Sequence, residues 1–242
     1  MIQSYFGVGR IYKLGKGSIQ YQVSSVKELG VIIDHFNKYP LLTAKHEDYL
    51  LFIEAFNLIK NKEHLTSEGL RKIIGLKSSM NKGLSLQLKA VFPGVEPVPR
   101  PTAELKGILD PHWLAGFVDG EGCFLVNTQN SSTHRLGCKI ELRFQVTQHI
   151  RDILLIESLV EYLGCGKVFR SREAVDFIVT KFSDLSDKII PFFEKYSLQG
   201  TKSQDFLDFN IIAKLMKDKA HLTKEGIEEI KRVKSGMNSK RK

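Results

Sequence analysis

The sequence predicts an α+β protein made of two similar subdomains with antiparallel sheets, the first of which is truncated at its N-terminal end. Residues 5–81 match residues 162–238 at a constant offset of 157 positions, and a match of this length indicates two copies of one structural unit. Short alternating segments lie in pairs between helical segments, which is typical of antiparallel hairpins. We therefore expect two subdomains related by a pseudo-twofold axis.

Two pairs of segments show the repeat clearly: Tyr5–Gly9 with Tyr162–Gly166, and His64–Thr66 with His221–Thr223. Between the two copies, the chain holds five of its seven prolines. Proline at this density prevents regular structure and stiffens the chain. The prediction is therefore a first repeat at 1–81, a proline-rich linker at 82–112 and a second repeat at 113–242.

The two copies differ in what precedes them. Well-patterned residues, 113–161, precede the second copy, whereas only Met1 to Ser4 precede the first. We therefore expect a first subdomain without its opening helix and first two strands. Three explanations stay open: a reading frame that begins at an internal Met, a partner chain that supplies the missing segment, or a degenerate remnant.

The second copy is predicted to open with a short helix from Trp113 to Gly120, because Asp110-Pro111 is a helix start signal. Gly116 and Gly120 lie four positions apart on one face of this helix. Small residues at that spacing let another backbone approach closely. We expect these two glycines to form a helix–helix interface.

The next elements are predicted from the period of the apolar residues. From 138 to 147, apolar and polar residues alternate strictly, so one face of that strand is buried and the other is solvated. The predicted elements, in order, are strands 122–129 and 138–147, a helix at 153–163, strands 166–171 and 174–180, and two or three helices to 236. In the first copy the matching hairpin comprises Arg10–Tyr12 and Ser18–Ser24.

Composition narrows the class of function. Lys and Arg total 36 against 27 acids, the formal net charge is +9 and the pI is about 9.3. This positive charge favours binding to a polyanion, with nucleic acid as the first expectation and an anionic membrane as the second. Three cysteines without a CxxC pair argue against a disulfide framework and a structural zinc site. No apolar signal core or membrane-length segment is present, so we expect a soluble protein that is not secreted.

The stretch Leu114-Ala115-Gly116-Phe117-Val118-Asp119-Gly120-Glu121-Gly122 closely resembles the defining motif of the LAGLIDADG homing endonucleases. Phe144–Gln148 is similar to a strand near the active site of that family, and the duplicated layout resembles its monomeric two-repeat members. The resemblance implies two motif helices at the pseudo-twofold axis and saddle-shaped sheets over a long double-stranded DNA target. It also implies divalent metal ions held by one acid from each motif helix, and encoding in introns of fungal mitochondrial genomes, so the expected location is the mitochondrion.

By this resemblance, Glu121 and Gly120 are the candidate metal ligands and Asp119 is a structural acid near the end of the helix. Gln148 is expected to hold a water molecule. Lys45 and Lys202 are the candidates for the basic residue that polarises water or phosphate during catalysis. Oxygen ligands suit Mg²⁺, and paired metal ions can activate water and neutralise phosphate. The negative end of the helix dipole favours a cation beside Glu121. Without the motif, Glu121 would be interpreted as a solvent-exposed acid in a turn, and Lys45 and Lys202 as ordinary solvent-exposed lysines.

DNA contacts are expected from the outward faces of the strands, where Gln and Arg suit base edges and Lys suits phosphates. An ordinary half-exposed sheet has the same pattern. The candidates are Asn127, Gln129, Lys139, Arg143, Gln145, Lys167, Arg170, Arg172 and Asp176 in the second copy, and Arg10, Lys13, Lys16, Gln20 and Gln22 in the first.

The expected function is therefore a site-specific double-stranded DNA endonuclease that acts in intron homing by metal-dependent hydrolysis of phosphodiesters. Two alternatives stay open, because this chain carries one motif helix and one acid where two-repeat members have two. One is an RNA maturase that binds intron RNA and assists splicing. The other is a DNA-binding remnant that does not cleave.

Overall fold

A computed structural model describes residues 1–15, 17–102, 107–108, 110–132 and 136–241 of the chain. The chain divides into two compact units, Met1–Glu104 and Leu105–Lys242. Both units combine helices with antiparallel strand pairs, which confirms the predicted α+β class. Among the described residues, every helix is too short or too polar to cross a membrane.

The first unit contains one two-stranded antiparallel sheet among its described residues. Its elements are α1 (Ile2–Phe6), β1 (Arg10–Leu14), β2 (Ser18–Gln22), α2 (Val26–Lys38), α3 (Lys45–Lys60), α4 (Ser67–Ser79) and α5 (Leu86–Val91). Thr66 caps the start of α4, because its side-chain oxygen accepts the backbone N–H of Gly69 at 3.0 Å. The core is formed by apolar side chains of α2, α3 and α4: Ile33, Tyr49, Leu51, Phe56, Ile74 and Leu76.

The predicted linker contains a helix, so the expectation that its prolines prevent regular structure is wrong for α5. The Ser85 hydroxyl accepts the backbone N–H of Leu88 at 3.3 Å and caps this helix. The first proline of the segment is Pro93, two residues beyond α5. Proline disrupts a helix interior and therefore leaves α5 intact while preventing its extension.

The residues after Pro93 contact the helices of the first unit. The Ser79 hydroxyl donates a hydrogen bond to the Val98 carbonyl at 2.6 Å. The Arg100 guanidinium lies 3.2 Å from a carboxylate oxygen of Glu47 and 3.0 Å from one of Asp48. Part of the predicted linker therefore packs as an extension of the first unit.

The second unit has a four-stranded antiparallel sheet with the strand order β3-β4-β6-β5. Its elements are α6 (Pro111–Glu121), β3 (Gly122–Asn130), β4 (Cys138–His149), α7 (Ile153–Leu163), β5 (Lys167–Ser171), β6 (Ala174–Val179), α8 (Phe182–Asp184), a π-helical segment (Leu185–Ile189), α9 (Ile190–Lys195), α10 (Lys202–Lys217) and α11 (Lys224–Lys234). The two predicted hairpins are therefore present, with ends within two residues of the predicted ones.

One face of this sheet is covered by helices. Phe124, Phe144 and Phe177 are fully buried on that face. The Phe124 ring lies 5.2 Å from the Phe144 ring and 5.5 Å from the ring of Phe193 in α9. The opposite face of the sheet carries the polar residues of the alternating pattern, as the sequence predicts.

A glycine precedes the equivalent hairpin in each unit, and close packing requires it. Gly166 has a φ of +87°, and a Cβ there would lie 2.5 Å from the Phe177 ring. Gly9 has a φ of +80°, and a Cβ there would lie 2.7 Å from the Tyr21 ring. Only glycine satisfies both the left-handed backbone and the approach of the ring. The two hairpins therefore share their local geometry.

Candidate functional site

The C-terminal end of α6 is the centre of the candidate site. Asp110 caps the other end of this helix, since its carboxylate accepts the backbone N–H of His112 at 2.8 Å, and Pro111 occupies the first turn. Glu121 is the last helical residue rather than the first residue after the helix, a difference within the usual uncertainty of helix ends. Its side chain is exposed where the helix dipole is negative.

Asp119 has the structural role expected from the resemblance. Its Oδ2 accepts the backbone N–H groups of Gln199 at 2.7 Å and Gly200 at 2.9 Å. A Cβ at Gly200 would lie 2.9 Å from Oδ1 of Asp119, so this approach also requires the small residue. Asp119 thereby fixes the segment before α10 against the end of α6.

Lys202, the first residue of α10, reaches the end of α6. Its ammonium donates to the carbonyl oxygen of Gly120 at 3.3 Å and also to that of Gly122. The last carbonyl groups of a helix have no partners within the helix. The structure therefore brings together three of the predicted site residues: Gly120, Glu121 and Lys202.

An open cleft of about 850 Å³ lies beside Glu121. Gln148 and the neighbouring residues at the end of β4 line one side of this cleft. The turn between β5 and β6 lines the other side and includes Arg172, a predicted DNA contact. Glu121, Gln148 and Arg172 therefore face one space, although they are distant in sequence.

The donors at this site fit a divalent ion of the Mg²⁺ or Ca²⁺ type. The Glu121 carboxylate and the Gly120 carbonyl are hard oxygen ligands, which such ions prefer. The Lys202 ammonium on two carbonyl oxygens shows that this group of oxygens favours a cation. Among the described residues, no group of three or more His, Cys, Asp or Glu side chains could hold a metal ion. The candidate ligands at the end of α6 are therefore the Glu121 carboxylate and the backbone carbonyls beside it.

Cys123 follows this site in β3 and is half-buried. Burial raises the pKa of its thiol, the Lys202 ammonium lowers it and the Asp205 carboxylate raises it. Since the thiolate is the nucleophilic form, the raised pKa argues against a role for Cys123 as a nucleophile.

A buried carboxylate anchors the helix that carries Lys202. Asp205 accepts the backbone N–H of Asn238 at 2.8 Å and the Arg241 guanidinium at 3.0 Å. The Asn238 side chain in turn donates to the Phe124 carbonyl at 3.0 Å. The sequence analysis missed this network, although the aligned Met80-Asn81 and Met237-Asn238 pairs were a signal for it.

The first unit contains the corresponding contact around Asp48. Its carboxylate accepts the backbone N–H of Asn81 at 3.2 Å and pairs with Arg100. Lys45 begins α3, as Lys202 begins α10, and its side chain is exposed. The two candidate lysines therefore occupy equivalent places in their own units.

The register of the four-stranded sheet decides which side chains share a face. Residues directly opposite on antiparallel strands point to the same side. Asn127 pairs with Glu141, and Gln129 pairs with Lys139. The face away from the helices carries these predicted DNA contacts: Asn127, Gln129, Lys139, Arg143, Gln145, Lys167 and Asp176. We call it the outward face.

Hydrogen bonds fix part of the outward face. The Thr147 hydroxyl donates to Oδ1 of Asp176 at 2.5 Å, and the Gln145 amide donates to the same oxygen at 3.0 Å. Two donors on one oxygen orient the Asp176 carboxylate and leave its second oxygen with acceptor capacity. This part of the face is therefore organised before any ligand binds.

Arg170 lies on the other face, so its prediction as an outward-facing residue is wrong. It is directly opposite Val175, which is fully buried on the helix side of the sheet. Its guanidinium pairs with Glu157 of α7 at 2.8 Å. The physical reason is the two-residue period of a strand, which places Arg170 and Lys167 on opposite sides.

The same alternation divides the candidates of the first unit. Arg10 pairs with Gln22, and Gln20 lies on the same face of the hairpin. Lys13 pairs with Ile19 on the opposite face of this hairpin, but both residues are exposed, so its DNA contact stays a prediction. Lys16 lies outside the described residues.

The predicted glycine interface on α6 stays a prediction. A Cβ built at Gly116 or Gly120 would meet none of the described atoms within 4 Å. On the same helix, the rings of Trp113 and Phe117 stack with their centroids 4.8 Å apart. The backbone at these glycines is therefore accessible to a close neighbour.

A family model of LAGLIDADG endonucleases matches residues 1–56 and 114–213. The chain belongs to the LAGLIDADG endonuclease family. This LAGLIDADG chain is 40% identical over 235 residues to the probable intron-encoded endonuclease 3 of Neurospora crassa. The match covers 95% of this chain and 44% of that protein. It is 37% identical over 253 residues to the probable intron-encoded endonuclease 2 of the same fungus, and that match covers 98% of this chain and 54% of the relative. The chain thus spans about half the length of these relatives.

A solved structure extends the likeness to the fold. The I-SmaMI LAGLIDADG homing endonuclease bound to cleaved DNA matches with a TM-score of 0.97 and 45% sequence identity, over 100% of this chain and 82% of that one. These matches confirm the predicted family, its two-repeat form and its fold. LAGLIDADG endonucleases depend on divalent metal ions, and I-SmaMI has been solved on an uncleaved DNA target in the presence of calcium ions.

Proposed function

We propose that this LAGLIDADG chain is a site-specific double-stranded DNA endonuclease of intron homing, which hydrolyses phosphodiesters with Mg²⁺. The observation that carries the proposal is the end of α6. There the exposed Glu121 carboxylate lies next to the Gly120 and Gly122 carbonyls, and the Lys202 ammonium already contacts both carbonyl oxygens. Hard oxygen donors and a cation at one point suit the chemistry of a phosphodiester.

Each side chain at the site has a separate role. Glu121 and the Gly120 carbonyl would hold Mg²⁺, which when bound neutralises phosphate charge and makes water more acidic. Gln148 faces the same cleft and can orient a water molecule there through its amide. Lys202, held by two carbonyl oxygens, places a positive charge at the end of α6, where it can attract a phosphate oxygen. Asp119 keeps the start of α10, and with it Lys202, in register with α6.

DNA binding is assigned to the outward face of the sheet and to the polar face of the first hairpin. Net charge of +9 favours association with a polyanion. Gln145 and Asp176, which are already oriented by hydrogen bonds, can read base edges with little loss of side-chain freedom. Lys167 and Arg10 can meet phosphates from equivalent strands.

The names of the relatives support the proposal. The Neurospora crassa proteins are probable intron-encoded endonucleases, and another relative is a protein in ND4 intron 1 of Podospora anserina, 55% identical over 65 residues. I-SmaMI has also been solved as lysine-to-alanine variants, single and double. We propose mitochondrial action for this chain and a pair of functional lysines, Lys45 and Lys202.

The test compares Glu121→Gln with a matched control, Glu173→Gln. Both carboxylates line the same cleft, but only Glu121 is assigned to the metal ion. On a target duplex with Mg²⁺, we expect Glu121→Gln to lower the cleavage rate by about two orders of magnitude or more, since a metal ion contributes several kcal/mol. Binding without metal should be unchanged, and Glu173→Gln should cleave as the wild type does.

Three outcomes would contradict the proposal. Undiminished cleavage by Glu121→Gln would remove Glu121 from the site. Specific binding by the wild type without any cleavage would instead support a DNA-binding remnant. Stimulation of intron splicing by Glu121→Gln, without DNA cleavage by the wild type, would support the RNA maturase.

A further inference from the structure

We propose that Phe169 is a specificity-determining residue, whose ring contacts the 5-methyl group of one thymine in the major groove of the DNA target. The inference rests on the proposed DNA-binding function and adds a base and a contact to it. Phe169 was not among the residues that the sequence analysis selected.

The first observation is the place of Phe169 on the sheet. In β5 it is directly opposite Asp176, so its ring belongs to the outward face together with Lys167 and Ser171. The ring is 51% exposed, whereas Val175 and Phe177 on the helix side are fully buried. Leu125 and Ile178 also lie on this face. A large apolar side chain that is half exposed there contributes little to the core and is available to a ligand.

The second observation is the repeat. Tyr12 occupies the equivalent position in the first unit, is directly opposite Gln20 and is 43% exposed. A basic residue precedes each ring by two positions on the same face: Arg10 before Tyr12 and Lys167 before Phe169. Both units therefore present a basic residue followed by an exposed aromatic ring on an antiparallel strand pair, and a strand pair fits the major groove.

Charge decides between the DNA backbone and the bases as the partner of Phe169. The carboxylate of Asp176 lies directly across from the ring and repels phosphate. Gln145 and Thr147 hold that carboxylate on the outward face. A base edge is therefore favoured over the backbone at this point. In the major groove only thymine offers an apolar group, its methyl, to an aromatic side chain.

The experiment removes the methyl group alone. A duplex is selected with the wild-type protein from a randomised library, and each thymine is then replaced singly by deoxyuridine. Dissociation constants are measured without divalent metal, so that no cleavage interferes. For the wild type, we expect one replacement to weaken binding by about fourfold, which corresponds to one buried methyl-sized group. For Phe169→Ala, the same replacement should have no effect, while other positions respond as before.

Two further variants act as controls. Phe169→Leu keeps an apolar contact and should retain part of the methyl sensitivity. Tyr12→Ala should leave the Phe169-dependent position unchanged, because it lies on the other unit's hairpin. Thermal unfolding of Phe169→Ala should match the wild type, since the ring is half-exposed, so a change in binding would not report misfolding.

The proposal is overturned if Phe169→Ala binds all thymine and deoxyuridine duplexes more weakly by one common factor, because the contact would then be with the backbone. It is also overturned if wild type and variant respond alike to every replacement. Failure of the proposed nuclease function has a different signature: the wild type would bind its selected duplex with the methyl response intact but would not cleave it with Mg²⁺.

Discussion

Asp119 offers the sharpest test of how the site is held together. Its Oδ2 accepts two backbone N–H groups, at 2.7 and 2.9 Å, from the segment that leads into α10. Asp119→Ala removes both hydrogen bonds and frees the start of the helix that carries Lys202. Asp119→Asn keeps an acceptor but loses the charge, so its effect should be smaller.

The magnitude follows from the surroundings of the carboxylate. A hydrogen bond to a charged group contributes about 1.5–3 kcal/mol, but both N–H groups here can be solvated after the substitution. The other oxygen, Oδ1, is buried without a hydrogen-bond partner among the described atoms, and its removal offsets part of the loss. We therefore expect a decrease of about 2 kcal/mol in the free energy of unfolding of the second unit. This corresponds to a decrease of about 4–8 °C in its Tm.

The assay is thermal and urea-induced unfolding followed by circular dichroism, with the rate of DNA cleavage as a second readout. Asp187→Ala is the control, because this exposed acid contacts only its neighbour Ser186 in the hydrogen bonds that the structure describes; it should change stability by less than about 0.5 kcal/mol. Asp119→Ala should also slow cleavage, since Lys202 loses its position. Equal Tm values and equal cleavage rates for Asp119→Ala and the wild type would refute the anchoring role.

Two further predictions concern charge. Lys167→Ala should weaken DNA binding and reduce the slope of log affinity against log salt concentration by about one. Arg170→Ala should leave that slope unchanged, because Arg170 lies on the helix side and pairs with Glu157. Equal slopes for the two variants would contradict the assignment of the two residues to opposite faces. Burial lowers the pKa of His221, more than the hydrogen bond to Met216 raises it. The folded state therefore binds the proton less readily than the unfolded state, so stability is present above the unfolded pKa of about 6.5 and is lost as pH falls below it. His221→Gln should flatten the urea-unfolding midpoint against pH between about 7 and 5, and an unchanged pH profile would contradict this reasoning.

The fold was largely predictable from the sequence because its signals are local. The alternation in β4 assigns Leu142, Phe144 and Val146 to the buried face, and they are buried. The start signal Asp110-Pro111 precedes the predicted helix, and in the structure Asp110 caps the motif helix, which begins at Pro111, two residues before the predicted start. The high proline content of the whole linker does not predict α5, because none of the prolines lies between Ser85 and Phe92.

The predicted DNA contacts show that residue type alone does not decide which face of a strand a side chain is on. Arg170 is a basic residue on a predicted strand, but register, which depends on the partner strand, places it opposite the buried Val175. The two-residue period counted from Lys167 puts Phe169, and not Arg170, on the outward face.

The sequence by itself determined the family and the repeat. The motif is read from adjacent residues and the repeat from the same spacing recurring along the chain, so both need only the order of residues. Only the tertiary structure decided that Lys202 reaches the carbonyls of Gly120 and Gly122 and that Asp119 holds Gly200. These contacts join residues about eighty positions apart, and chain folding alone brings them within hydrogen-bond distance. The motif that marks the family is therefore readable from nine residues, whereas the site that it serves is assembled by packing.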